Sequence, residues 1–256
     1  MTYLELHFVA VLCFSKQQSR DVAGGPVDFI FMLTRQDRTI TDCLAVLDLI
    51  LPLKLRHIGF KDVGVDKKTL ATLAERIRKS GATTYMEVVS TSPADALNSA
   101  RVAVELGIDR LLGGTDVARV QEIIGAHKIG YYPFCGFPTG HPTKLGGRPD
   151  QVEGHCRRFV EQGCAGSDLL AYRATSADPL DLVRAARRGL GRHHLIVAGS
   201  VSTREQIAAL HEAGADAFTI GSAVFDGSYA KNLGSTLSQL AAIQADCSAV
   251  ARAGAK

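Results

Sequence analysis

The chain has 256 residues, 46% of them hydrophobic, which suits one barrel-sized domain or two small ones with a substantial core. A formal net charge of +3 and the absence of tryptophan argue against a nucleic-acid or membrane partner and fit a small anionic ligand. The six cysteines (Cys13, Cys43, Cys135, Cys156, Cys164 and Cys247) are scattered with no C-x-x-C pair, so neither a zinc knuckle nor a disulfide framework is indicated, and a reduced, cytoplasmic protein is expected.

Residues 1–26 differ in pattern from the rest of the chain. Leu4, Leu6, residues 8–12 and Phe14 form an apolar patch with no basic residue before it, too short for a bilayer span and unlike a signal peptide. The expectation is an N-terminal arm of uncertain structure, with the barrel over 27–256. Residues 27–34 (VDFIFMLT) read as the first strand, followed by Arg35, Asp37 and Arg38 and by a helix over 39–53 with Ile40, Leu44, Leu47 and Ile50 on one face. Strand 2 (56–60) ends in Lys61-Asp62-Val63-Gly64, and an amphipathic helix over 67–79 is closed by Gly81. Strand 3 (83–89) contains Glu87, and Ser92-Pro93 opens a third helix that runs to Gly107. Strand 4 (108–112) leads through Gly113-Gly114-Thr115-Asp116 to helix 4 over 117–126, and strand 5 covers 129–134.

Residues 135–149 (CGFPTGHPTKLGGRP) are the longest non-periodic stretch and read as a lid-like loop. A helix over 150–162 comes next, then strand 6 over 167–172 and a helix from Asp178-Pro179 to about 190. Two strands end the regular pattern. Residues 195–198 run into Gly199-Ser200, and 217–220 into Gly221-Ser222, with a helix capped by Thr203 between them. Residues from Ser228 to about 253 read as a last helix. Eight strand–helix units predict a single (β/α)8 TIM barrel with parallel strands. The rival is a doubly wound open sheet, but no G-x-G-x-x-G comes after strand 1.

Consecutive parallel strands that each end in Gly-Ser can aim several backbone N–H groups at one point, as a phosphate site requires. The segments VAGSVST and TIGSAVF resemble the phosphate-binding half of the ribulose-phosphate-binding barrel superfamily, which includes isomerases, epimerases, decarboxylases and tryptophan-pathway barrels. The resemblance implies a phosphorylated substrate held by Gly199, Ser200, Gly221 and Ser222, and replacing Gly221 by valine is expected to cost the fold only about 1–2 kcal/mol. Each turn taken singly is more often only a turn.

The C-terminal ends of the strands are where such a barrel keeps its chemistry. Lys61 directly ends an apolar strand and Glu87 interrupts another, so both are costly there unless paired or functional. With Asp62, Arg173 and the loop residue His141 they form the candidate catalytic set, and Arg35 and Lys144 are candidate substrate ligands. The bland alternatives are a Lys61 ion pair with Asp62 or Glu87, solvated loop charges, and Asp116 as a helix cap. No cofactor is expected, although a magnesium ion on Asp62, Glu87 or Asp116 is possible. The expected function is lyase or isomerase chemistry by proton transfer next to a carbonyl, on a small phosphorylated metabolite, with sugar phosphates the leading class. The alternatives are a Schiff-base aldolase built on Lys61 and a non-catalytic phosphate-ligand binder. A homo-oligomer is possible.

Overall fold

The computed structural model describes residues 27–90 and 92–254, so the expected arm lies outside the described residues. In chain order β1 (Asp28–Met32) is followed by a two-residue hairpin, β2 (Thr34–Arg35) and β3 (Arg38–Thr39). Then come α1 (Cys43–Ile50), β4 (His57–Lys61), α2 (Lys67–Lys79), β5 (Thr83–Glu87), α3 (Pro93–Leu106), β6 (Arg110–Leu112), α4 (Val117–Ile124) and β7 (Gly130–Tyr132). A second hairpin, β8 (Phe137–Thr139) and β9 (Lys144–Gly146), leads to α5 (Pro149–Glu161). The chain finishes with β10 (Gly166–Leu169), α6 (Pro179–Leu190), β11 (His194–Val197), α7 (Arg204–Glu212), β12 (Ala217–Ile220), α8 (Ser222–Phe225) and α9 (Thr236–Gly254).

The eight-stranded sheet has the order β10-β11-β12-β1-β4-β5-β6-β7, and every pairing in it is parallel. Hydrogen bonds from Ala165 N to Tyr131 O (3.0 Å) and from Asp168 N to Pro133 O (3.0 Å) draw β7 and β10 together. The chain is therefore a (β/α)8 barrel, nearly closed, rather than an open sheet.

Alternation along the strands divides the core in two. Outward residues such as Phe31, Phe60, Met86 and Phe218 pack under the helices, while Ile30, Met32, Tyr85, Leu112, Tyr132, Ile196 and Ala217 fill the barrel. At the N-terminal mouth the Arg110 guanidinium lies over the rings of Tyr85 and Tyr132, at 5.8 and 5.6 Å, and hydrogen-bonds the Tyr132 hydroxyl. His194 meets Tyr132 edge-on. This plug closes the end of the barrel opposite the usual site of chemistry.

Four local expectations change. The first strand stops at Met32, because Thr34 and Arg35 turn back on Arg38 and Thr39. The helix expected from 39 begins at Cys43 and tightens into a 3-10 turn at Leu51–Leu53, where Pro52 supplies no N–H. The stretch 135–149 is no structureless loop but an antiparallel hairpin with Phe137 opposite Gly146 and Thr139 opposite Lys144. The last helix starts at Thr236, eight residues later than its alanine content suggested.

Candidate active site

A cavity of about 270 Å³ opens at the C-terminal ends of the strands. One wall is charged. Lys61, the last residue of β4, is 6% exposed, and its Nζ donates to Glu87 Oε1 at 3.1 Å and to Asp37 Oδ1 at 2.9 Å. Lys61 and Glu87 lie side by side because they are register partners on β4 and β5. Thr39 fixes the backbone beneath: its Oγ1 donates to Lys61 O at 2.7 Å and accepts from Lys61 N at 2.9 Å.

Asp37 reaches the cavity because the β2–β3 hairpin turns through two left-handed residues, Gln36 (φ 50°) and Asp37 (φ 57°). Two-residue hairpins favour that geometry, and aspartate tolerates it better than most residues. Its carboxylate accepts from both terminal nitrogens of Arg173, at 3.0 and 2.9 Å. Burial works to raise the Asp37 pKa, but Arg173 and Lys61 outweigh it and hold the carboxyl well below the usual carboxylate range. Burial likewise works against a charged Lys61, and Glu87 and Asp37 more than offset it, so the amine stays an ammonium.

The other wall is backbone. Gly199 (φ 78°) and Ser200 (φ 62°) both take the left-handed conformation after β11, and residues 199–202 line the cavity. A Cβ on Gly199 would stand 2.5 Å from Arg173 Nε, so this glycine makes room for the guanidinium. Residues 219–223 complete the wall, and the first N–H groups of α8 have no partner within their own helix. Gly221 is more constrained than expected. A Cβ there would meet Met32 O at 2.9 Å and Thr34 O at 2.8 Å, both backbone, so Gly221→Val strains the end of β1 as well as the turn.

No family model matches the chain, and no curated protein sequence matches it. Solved structures do match its fold. Orotidine 5'-phosphate decarboxylase from Pyrococcus horikoshii OT3 superposes with a TM-score of 0.60 at 11% identity, covering 86% of this chain and 98% of that one. The tryptophan synthase complex from Pyrococcus furiosus gives 0.57 at 18% identity, with 79% and 90% covered. Native KDPGal gives 0.59 at 13% identity, with 90% and 96% covered. The likeness shows the fold, a (β/α)8 barrel.

This fold gathers some of the residues singled out in the sequence and scatters others. Lys61, Glu87, Arg173, Gly199, Ser200, Gly221 and Ser222 all line the cavity. Arg35 stands at its rim, ion-paired with Asp226 at 2.5 Å. Asp62 turns away behind β4, where its carboxylate accepts from Ser99 Oγ on α3 and from Val89 N at 3.2 Å. His141 and Lys144 are exposed on the β8–β9 hairpin and do not line the cavity. That hairpin touches the site through Thr143 O, which accepts from Arg173 at 3.5 Å. Asp116 caps α4, accepting from Arg119 N at 3.4 Å. Of the three carboxylates on which a magnesium ion is possible, Glu87 lines the cavity, while Asp62 and Asp116 are engaged elsewhere; among the described residues no three His, Cys, Asp or Glu side chains come together as metal ligands.

Two residues at this end of the barrel carry more than their sequence context suggested. Asp37 reads in the sequence as one of three polar residues after strand 1, and it is the ion-pair centre of the cavity. Asp168 lies in β10 (GSDL), whose residues are all buried, and is itself completely buried.

Proposed function

We propose that this barrel is an enzyme of lyase or isomerase type acting on a small phosphorylated metabolite, with the phosphate on the 199–202 and 219–223 backbone and the reactive carbons over Lys61 and Glu87. One observation carries this reading: the paired Gly-Ser turns and the Lys61–Glu87–Asp37–Arg173 network line the same cavity of about 270 Å³. The two cations and two carboxylates of the charged wall balance, so a dianion is drawn to the backbone donors rather than to a bare cation. Glu87 spends one oxygen on Lys61 and has no hydrogen-bond partner among the described residues for the other, which leaves that oxygen to take a proton from a carbon beside a carbonyl. The electron pair released enters the carbonyl as an enolate. The Lys61 ammonium sits to meet that developing charge, an effect worth roughly several kcal/mol in a dry site.

The charged state of Lys61 favours this role over a Schiff base, which needs the neutral amine. A thermal-shift series with glycerol 3-phosphate, ribose 5-phosphate and ribulose 5-phosphate tests the reading, since a ligand at about 100 times its Kd adds roughly 2.7 kcal/mol. Ser222 stands at the first turn of α8, where an acidic residue is tolerated, so Ser222→Asp should fold normally and repel the phosphate. Stabilisation of the parent and its loss in Ser222→Asp is the expected result; equal stabilisation of both would place the phosphate elsewhere.

A further inference from the structure

At the rim of the phosphate wall stands an ion pair that the chemistry over Lys61 and Glu87 does not use. Arg35 and Asp226 meet at 2.5 Å, with side chains 55% and 42% exposed. Asp226 lines the cavity together with Ser222 and Ser228. It stands one turn beyond Ser222, whose carbonyl accepts from the Asp226 backbone N–H at 2.8 Å. Arg35 comes to the same end of the cavity from β2. Its neighbour Thr34 also lines the cavity and packs on the Gly221 turn, where an added Cβ would stand 2.9 Å from Thr34 Oγ1. The Arg35 guanidinium is therefore held at the lip of the 219–223 wall by a carboxylate that is itself part of the cavity. The pair does not settle the charge there. Arg38 is the register partner of Arg35 across the β2–β3 hairpin, and like charges directly opposite each other are destabilising. Arg38 is exposed and has no ion-pair partner among the described residues, so the rim carries a surplus positive charge.

We propose that Arg35 is the side-chain ligand of the substrate's phosphate, parked on Asp226 until the substrate arrives, and that it selects a terminal phosphate monoester. This rests on the reading of the 199–202 and 219–223 backbone as the phosphate wall, and it adds the cation that covers that wall and the class of phosphate taken. An ion pair between two half-exposed side chains is worth little, so the guanidinium leaves Asp226 at small cost. Charge and shape draw it inward. A monoester carries close to two negative charges at neutral pH and three acceptor oxygens, two of which a guanidinium grips at once. A carboxylate or a phosphodiester carries a single charge and gives Arg35 no more than Asp226 already does. Backbone N–H groups hold either kind of anion, and the arginine adds the preference for the second charge. Asp226 is exposed enough to be solvated when the arginine turns away. It is thus a positioning residue that acts through Arg35.

The test is a phosphorus-31 NMR titration of the full chain with methyl phosphate, a monoester, and with dimethyl phosphate, a diester. The deciding variant carries Arg35→Ala and Asp226→Asn together. It replaces a neutral ion pair by two neutral side chains, so the net charge at the rim is unchanged. Both positions are exposed at the rim rather than in the core, so the variant should fold. The parent should prefer methyl phosphate. The double variant should bind methyl phosphate about tenfold more weakly, while its affinity for dimethyl phosphate changes by less than about twofold. A parent with no preference for the monoester overturns the proposal. So does an unchanged methyl phosphate affinity in the double variant, which would leave Arg35 on Asp226 with ligand bound. An equal loss for both esters also overturns it, by making the pair a brace for the hairpin. If the parent binds neither ester, the phosphate reading itself falls, and this proposal with it.

Discussion

Asp37 and Arg173, 136 residues apart in the chain, are joined by two parallel hydrogen bonds of 2.9 and 3.0 Å across the mouth of the barrel. The same Asp37 carboxylate holds Lys61 at 2.9 Å, so one acidic side chain bridges the two cations that face the cavity. Asp37→Asn is expected to destabilise the fold by about 3 kcal/mol, the cost of stranding a partly buried ion pair. It should also tighten the binding of inorganic phosphate several-fold at low salt, an increase that about 0.5 M NaCl removes. Denaturant unfolding and phosphate titration at two salt concentrations check both parts.

Lys61 separates the candidate chemistries. Lys61→Ala should abolish turnover of any substrate found by the thermal-shift series while leaving its phosphate bound, because the backbone wall is untouched. Lys61→Arg keeps the charge and cannot form an imine. Measurable activity in Lys61→Arg, with no borohydride trapping in the parent, is the expected pattern; trapping in the parent and a dead arginine variant would assign the Schiff-base route instead.

Asp62 offers the converse case. Its carboxyl is bound to Ser99 and Val89 N behind the barrel wall, and burial pushes its pKa up against those bonds. Asparagine keeps an oxygen to accept from Val89 N, and its amide NH2 can donate to Ser99 Oγ, whose hydroxyl also reaches Asp95 O. Asp62→Asn should therefore change stability by no more than about 1 kcal/mol and leave phosphate-ligand binding unchanged. A tenfold loss of affinity would return Asp62 to the site.

His194 sets part of the acid response. It sits at the closed end of the barrel, its Nδ1 has no hydrogen-bond partner among the described residues, and burial lowers its pKa from 6.5 to about 4. The unfolded chain binds a proton at this residue below about pH 6.5 and the folded one only below about 4. Its contribution is thus present above about 6.5 and is lost as pH falls toward 4, by up to about 3 kcal/mol. The depressed Asp37 adds a further loss only below the ordinary aspartate range. Urea unfolding from about pH 7.5 to 4 should show the fall, and His194→Phe should flatten its slope whatever its absolute stability.

Gly199 makes room for a side chain. Gly199→Ala places a Cβ against Arg173 Nε in a left-handed backbone position, so it should lower Tm and loosen the Asp37–Arg173 pair together. Gly81 is also left-handed, but a Cβ added there has nothing within 4 Å. Gly81→Ala is therefore the control that isolates backbone strain from contact, and its Tm should fall by less.

The eightfold alternation, the glycine turns after the last two strands and the charged ends of β4 and β5 are all local facts. Apolar runs of strand length, helix caps and glycine breaks depend on neighbours a few residues away, so the chain alone determined the barrel and placed Lys61, Glu87 and the Gly-Ser turns at one end of it. Hairpins at 34–39 and 137–146 are not legible in this way, because two- and three-residue strands carry too few alternating positions to show a period. Which charges meet was decided only by closure. Strand register puts Lys61 beside Glu87, a left-handed hairpin turn swings Asp37 over to Arg173, and Asp62, next in sequence to Lys61, goes to the opposite face because side chains alternate across the strand end. His141 and Lys144 stay in water, since the hairpin that bears them meets the site through its backbone. Asp168 stands in the sequence beside Ser167 with no signal of its own, and its burial without a hydrogen-bond partner among the described residues comes from the packing of eight strands around it, which no single segment contains.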